Sequence, residues 1–385
     1  MHDFWLTATA WIALALVASL ISIRLGLSIA LVEIVLGVVG GNFLGLRAVE
    51  WTDFLAGAGA IVLTFLAGAE IDPESLRKDL RATLSIGAAS FLFPFLGAGA
   101  FAYWVGGWDR DAALIAGIAL STTSVAVVYA VMVETGLNRT PLGKRILTAC
   151  FITDLGTVVA LGLLFARYNA NMVVFVAALA VAVAVGPRGF GWAVQKLGKR
   201  VSEPEVKLLL LALFGLGALA TLARSEAVLP AYVLGLALAG VFQGEPVLMA
   251  RLRSIAFGIL TPFYFLKAGM HVSLPAIAAS FWLIVAFLFV KLLAKYLGVA
   301  PLTRLLAFDR REGTYTTLLM STGLTFGSIS ALFGLTNGYI DREQYTVLVT
   351  AVIGSAVLPT LVAQAFFRPA VPAAVPDEAI VAEEA

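Results

Sequence analysis

Runs of roughly twenty apolar residues recur along almost the whole chain, separated by short polar breaks. A helix needs roughly 20 such residues to cross the hydrocarbon core of a bilayer. Runs of this kind lie at about 4–23, 29–46, 54–70, 83–107, 112–134, 142–166, 171–193, 204–223, 227–242, 247–270, 275–299, 313–336 and 343–367, the ninth being short. The pattern predicts an all-α polytopic membrane protein with about 13 transmembrane helices. The first run starts at Met1-His2-Asp3-Phe4 with no positive charge ahead of it, unlike a secretory signal, so it is read as a retained span. Residues 368–385 are rich in Ala, Pro and Glu. Such a segment buries too little apolar surface to fold and is expected to be a disordered tail.

Lys and Arg fix the orientation, because they concentrate in cytoplasmic loops. With the N-terminus outside, 18 of them fall on the cytoplasmic side, among them Arg77, Lys78, Lys144, Arg145, Arg251 and Arg253. Only 5 fall outside, namely Arg47, Arg110, Arg167, Arg224 and Arg342, and Lys267, Lys291 and Lys295 remain within spans. This asymmetry supports an odd number of spans and a cytoplasmic C-terminus, and a miscounted span would scramble it.

Composition narrows the function classes. The chain is 61% hydrophobic and 13% charged, against about 25% charged in soluble domains. A single Cys150 excludes a disulfide framework, and His2 and His271 are far apart, so neither a zinc motif nor a cofactor site is expected. No nucleophile–His pair or phosphate loop points to an enzyme; the net charge of +2 says little before the charges are placed by loop, and no nucleic-acid partner is expected.

Two segments resemble each other faintly. Span three ends Phe65-Leu66-Ala67-Gly68-Ala69-Glu70, and span ten ends Phe265-Leu266-Lys267-Ala268-Gly269-Met270. The two lie an odd number of spans apart, so the copies would be inverted. Repeat one would cover about 4–166 and repeat two about 204–367, with 171–193 as a linker helix. Inverted repeats with midplane sites on broken helices are typical of secondary transporters.

The candidate chemistry lies at mid-membrane. Asp154 interrupts the apolar run 142–166, where a carboxylate costs roughly 2.5 kcal/mol or more and usually marks an ion or proton pathway. Thr153 precedes it, and Cys150 and Thr157 lie a turn away on the same helix face. Such a carboxylate can hold a proton or a cation, but not both. A structural carboxylate or half of a buried ion pair is the competing reading. Span five carries Ser121-Thr122-Thr123-Ser124, and its inverted counterpart, span twelve, carries Ser321-Thr322-Gly323-Leu324-Thr325. Non-helical backbone at that depth is tolerated only where it lines a cavity or is buried in protein, and its oxygens suit dehydrated alkali cations. Alternatively, these hydroxyls bond back to carbonyls of their own helix. At a rise of 1.5 Å per residue, Lys291 lies about 15 Å and Asp154 about 18 Å from the cytoplasmic end. Lys291 is therefore expected to offset the negative ends of broken helices or to pair with a carboxylate. Lys295, one turn nearer the cytoplasm, is expected to snorkel. Glu33 and Lys267 are expected to pair or snorkel near span ends, and Glu70 to line a cytoplasmic funnel. The charges around Asp72, Glu74, Arg77 and Arg81 read as a solvated loop helix.

Taken together, these segments resemble the monovalent cation/proton antiporter superfamily, in particular the bacterial branch of Na+/H+ and Kef-type K+/H+ antiporters. The resemblance rests on Thr64–Asp72, Ser121–Ala126, Leu142-Gly143 leading to Thr153-Asp154, Pro262-Phe263-Tyr264-Phe265 with Gly269, Lys291, and the closing segment with Pro359. It implies a core domain with two crossed discontinuous helices, spans five and twelve, which moves like an elevator against a dimerisation domain in a homodimer. It also implies a bacterial inner membrane. Asp154 falls on the ion-binding aspartate and Lys291 on the family's lysine, with Thr153, Thr122, Thr123 and Ser124 around the ion and Thr157, Thr322 and Thr325 in support. The transported ions would be Na+ or K+ and H+. Several features depart from the pattern. Thr153 stands where electrogenic relatives carry a second Asp, which implies one-for-one exchange. Thr123 stands where related exchangers often have Asp, and span twelve carries no charge. The cytosolic nucleotide-binding domain of Kef systems is not expected in the residues after span thirteen.

Two other functions fit parts of the pattern. A Na+-coupled organic-anion symporter of the bile-acid-transporter type would use spans five and twelve but needs no midplane carboxylate, so Asp154 argues against it. A channel or sensor on the same scaffold would show fluxes far above carrier rates, or none.

Overall fold

The computed structural model describes residues 2–25, 28–71, 80–135, 137, 140–165, 170–198, 200–223, 225 and 227–369. The expected loop helix around 72–79 and the expected tail beyond 369 lie outside the described residues. All the regular elements are helical: α1 His2–Leu25, α2 Ile29–Asn42, α3 Glu50–Ala69, α4 Leu80–Trp104, α5 Arg110–Ser121, α6 Val125–Thr135, α7 Pro141–Leu164, α8 Ala170–Leu197, α9 Pro204–Leu222, α10 Val228–Gln243, α11 Pro246–Ile255, α12 Thr261–Met270, α13 Leu274–Ala279, α14 Phe281–Leu305, α15 Arg310–Met320, α16 Thr325–Thr336 and α17 Arg342–Val362.

Every predicted span overlaps a helix or a pair of helices. Among the described residues, ten of these are long and apolar enough to cross a membrane, while α2 and α10, with 14 and 16 residues, are shorter apolar helices. Span five is α5 and α6 with a non-helical step between them, and span twelve is likewise α15 and α16. Span ten is α11 and α12 joined by a π-helical turn at Ala256–Leu260. The starts are set by local chemistry. The Asp109 carboxylate accepts from the Ala112 amide (2.8 Å) at α5. At α7 the Thr140 hydroxyl accepts from the Gly143 amide (3.1 Å), with Pro141 in the first turn. Asp341 and Gln344 form a capping box at α17.

The helices sort into two groups. α4, α5, α7 and α14–α17 pack on one another, and α2 with α12, α3 with α10 and α12, and α8 with α9 and α10 form the other; α7 and α10 join the two. Within the second group, glycines set two close helix crossings in matching positions. A side chain on Gly235 would run into the Phe65 carbonyl and approach the Ala69 amide to 2.9 Å, and one on Gly68 would meet Tyr232 and Leu236. A side chain on Gly37 would run into Leu266, and one on Gly269 would meet Ile34 and Val38. α3 on α10 and α12 on α2 thus both approach closely through a glycine on each helix. Small residues at such crossings let backbones approach where lipid offers no hydrophobic drive. Gly235→Ala is expected to destabilise the protein by about 1–3 kcal/mol through overpacking. Gly240→Ala, on the same helix with open space around it, should leave the unfolding temperature in detergent unchanged. Equal effects would mean that the crossing is not tightly packed.

Candidate ion site

The two helix breaks lie against each other. Runs of Ser and Thr weaken a helix because their hydroxyls compete for backbone groups, and both breaks fall in such runs. Thr122, just past α5, is extended (φ −64°, ψ 153°). The Ser124 amide donates to the Thr322 carbonyl (2.9 Å), the Thr123 hydroxyl donates to the Met320 carbonyl (2.8 Å), and the Ser124 and Thr325 hydroxyls lie 3.4 Å apart. These contacts cross-link the two breaks, so the discontinuous helices cross. Thr122, Thr123, Ser124 and Thr322 are all buried. The remaining hydroxyls follow the back-bonding alternative: Thr122 donates to the Ala119 carbonyl (3.1 Å) and Thr322 to the Leu319 carbonyl (2.7 Å).

Charge at the crossing follows from helix direction. α5 and α15 end there, presenting carbonyls and partial negative charge, while α6 and α16 begin there. The structure corrects the reading of Lys295 and removes one of the two alternatives for Lys291. Lys295 does not snorkel: it is fully buried and donates to the Ser121 carbonyl (2.7 Å), the Ser90 hydroxyl (2.7 Å) and the Thr123 hydroxyl (2.9 Å). An ammonium has three donors, and all three are used on the C-terminal end of α5 and its neighbours. Lys291 is also fully buried, but its Nζ makes no hydrogen bond among the described residues and pairs with no carboxylate.

Asp154 lies on α7, 1% exposed, and its Oδ1 has no hydrogen-bond partner among the described residues. Lys295 is the cation whose attraction reaches it. Thr153 donates to the Ala149 carbonyl (3.0 Å) and lies 3.3 Å from the Gly87 carbonyl, and Thr157 donates to the Thr153 carbonyl (3.1 Å). These two hydroxyls serve the helix and its packing on α4. Asp154 is therefore the buried group in this segment with an oxygen left to coordinate.

Two partners were not legible in the sequence. Ser90 is one of two Ser in the apolar run 83–107, with Ser85, and the sequence offers no signal that separates them. Tyr232 on α10 donates to the Phe151 carbonyl (2.9 Å), one turn before Asp154. Glu70 lines a cavity of about 320 Å³ together with Tyr129, Lys144, Thr148, Phe151 and Arg253, and pairs with Arg253 at 2.8 Å. Elsewhere Lys267 pairs with Asp53 at 2.7 Å. Glu33 neither pairs with Lys267 nor snorkels: it is buried, with Oε2 unpartnered among the described residues.

Crossed broken helices beside a buried carboxylate that has a free oxygen define a membrane-embedded secondary transporter. The profile of the family described as sodium/hydrogen exchanger, transmembrane, matches residues 12–368, and the chain belongs to this family. It is 26% identical to the Na(+)/H(+)-K(+) antiporter GerN of Bacillus cereus, over 86% of this chain and 88% of that protein. It is 25% identical to a glutathione-regulated potassium-efflux system protein of Haemophilus influenzae, over 89% of this chain and 57% of that one. The fold matches the sodium proton antiporter MjNhaP1 of Methanocaldococcus jannaschii with a TM-score of 0.71 at 14% identity, covering 94% and 97% of the two chains.

Proposed function

We propose that this multi-pass membrane protein exchanges Na+ or K+ for H+, with Asp154 binding either ion in turn. The carrying observation is the buried Asp154 with an Oδ1 unpartnered among the described residues, on the helix α7 whose Cys150 meets Met320 at the end of α15, next to the second break. One carboxylate holds one cation or one proton, which supports one-for-one, electroneutral exchange. The transported cation meets Asp154 and oxygens of the crossing, among them those of Thr123, Ser124 and Thr325. Lys295 holds the end of α5 and keeps a positive charge near Asp154, and Thr153 and Thr157 hold α7 in register.

The cavity lined by Glu70 and Phe151 lies between α6 and α7 on one side and α3, α10 and α11 on the other. A route between the two helix groups favours elevator-type movement of the first group against the second. With the orientation that the Lys and Arg asymmetry favours, this cavity is the cytoplasmic entrance, in a bacterial inner membrane with the N-terminus outside. Homodimerisation belongs to the same reading, and native mass spectrometry in detergent tests it.

Proton flux in proteoliposomes of defined internal pH, with Na+, Li+ or K+ added outside, tests the function. One cation should dissipate the pH gradient, at a rate unchanged when valinomycin and K+ clamp the membrane potential. Proton movement with no cation would overturn the proposal. Glu70→Gln leaves Arg253 and Lys144 unopposed at the entrance. It is expected to weaken the apparent cation affinity about threefold with the maximal rate unchanged, in line with the small worth of exposed pairs, and the effect should fade at high salt. An unchanged affinity at low salt would remove Glu70 from the pathway.

A further inference from the structure

The end of α4 and the start of α5 enclose a groove of about 350 Å³ that shares no lining residue with the cavity at Glu70. Small residues draw the two helices together. A Cβ on Gly117 would come within 2.5 Å of the Phe95 carbonyl, and one on Gly99 within 3.3 Å of the Ala113 carbonyl. With Gly99, Ala100 and Ala113 along this seam, no side chain fills it, and a groove is left. Leu96, Tyr103 and Trp104 on its rim are exposed. In a chain that crosses a membrane, exposed apolar surface of this kind faces lipid.

The groove runs along α4 from Phe95 to Trp104. That is about 14 Å at 1.5 Å per residue, against roughly 15 Å for one half of the hydrocarbon core. Its length is that of one lipid leaflet. Tyr103 and Trp104 mark the interface end, since such rings settle at the level of the headgroups. Arg110 lines the groove at the same end. It is exposed and makes no ion pair among the described residues. It stands between two acids. The Asp109 carboxylate accepts from the Ala112 amide at the start of α5 (2.8 Å), and Asp111 is exposed.

We propose that this groove is a phospholipid site: an acyl chain lies in the seam, the phosphate on the Arg110 guanidinium and a primary ammonium beside Asp111. The ligand is thus a phosphatidylethanolamine. The charge pattern selects the headgroup. Two carboxylates and one guanidinium leave this turn with one net negative charge, and a phosphoglycerol headgroup would add another. A phosphoethanolamine headgroup carries both signs and matches both. A choline headgroup carries them too, but its quaternary ammonium has no N–H to donate to Asp111. α5 ends at the first break, so a chain in the seam ties the half-helix that leads to the ion site to α4. The site stands whether or not the protein exchanges cations.

The test is thermal unfolding of the full chain, delipidated in detergent, with ethanolamine, glycerol or choline phospholipid of the same acyl chains added back. Near saturation the ethanolamine lipid should raise the unfolding temperature of wild type by about 5 °C, and the other two by clearly less. Ala100→Phe fills the seam and removes no charge, so it should lose the response to all three lipids. Ala100→Met, a smaller filler, replaces it if the phenylalanine variant does not fold. Arg110→Gln should bind the ethanolamine lipid about tenfold more weakly, through the loss of a charged hydrogen bond. Asp111→Asn should still bind but lose the preference for the ethanolamine over the glycerol lipid. Native mass spectrometry should find retained lipid on wild type and none on Ala100→Phe. Equal responses of wild type and Ala100→Phe would overturn the groove as the site, and equal responses to the three lipids would overturn the headgroup. If Ala100→Phe changes the oligomeric state and leaves lipid retention as it was, a second copy of the chain covers the groove and the proposal fails.

Discussion

Asp154→Asn is expected to abolish cation-driven proton movement while the protein still folds. The substitution keeps the shape of a side chain that is 1% exposed and removes its ability to carry either charge or an exchangeable proton. The neighbours do not depend on that charge for their hydrogen bonds: Thr153 is bonded to Ala149, and Thr157 to Thr153. An amide in place of the carboxylate also removes the cost of burying an ion. Exchange should fall about 100-fold or more, a loss of about 2.7 kcal/mol in transition-state stabilisation, with an unfolding temperature at or above that of wild type. The same proteoliposome assay reads the first effect and thermal unfolding in detergent the second. Turnover retained within a few-fold of wild type would remove Asp154 from the ion site and with it the carrying observation.

Lys295→Met should damage both fold and function. The ammonium is the donor to the Ser121 carbonyl, the Ser90 hydroxyl and the Thr123 hydroxyl. Met is close in length but donates nothing, so the end of α5 loses its only charged partner among the described residues. Asp154 loses the cation whose attraction reaches it. Removing one partner from a buried charged network typically costs roughly 3–5 kcal/mol. At roughly 2–4 °C per kcal/mol for a large domain, the unfolding temperature should fall by about 10 °C. Ser90→Ala removes one hydroxyl from the same node and leaves the other two bonds, so its loss should be about 1–2 kcal/mol. The ranking is the test. If Lys295→Met is as stable as Ser90→Ala, the ammonium is not what holds the first break.

The contrast between the lysines shows where sequence reasoning stops. Asp154 could be found from the chain alone because a carboxylate in an apolar run of this length is anomalous by composition. The helix breaks could be found because consecutive hydroxyl residues and a Gly at mid-span disfavour a continuous helix by local chemistry. The spans could be found because crossing a bilayer requires a certain apolar length, and that requirement acts on each segment separately. None of these inferences needs to know what lies next to what.

The roles of Lys291 and Lys295 depend on neighbours. Counting along the helix places them one turn apart, and the uncertainty of the count is itself about a turn. Depth could not say which lysine faces the carbonyl end of α5. That was decided by how α14 sits against α4, which brings Ser90 to Lys295 across 205 positions of sequence. Glu33 and Lys267 tell the same story: Lys267 found Asp53 on α3, and Glu33 was left in the packing. The reason for glycine at Gly68 and Gly269 is likewise tertiary, since each meets the backbone of another helix. The sequence by itself determined the helices, their breaks and the carboxylate, because apolar length, hydroxyl runs and a misplaced charge are properties of single segments. Only the tertiary structure decided which lysine serves the first break, because a buried charge is assigned by the carbonyls and hydroxyls that packing brings within hydrogen-bond reach.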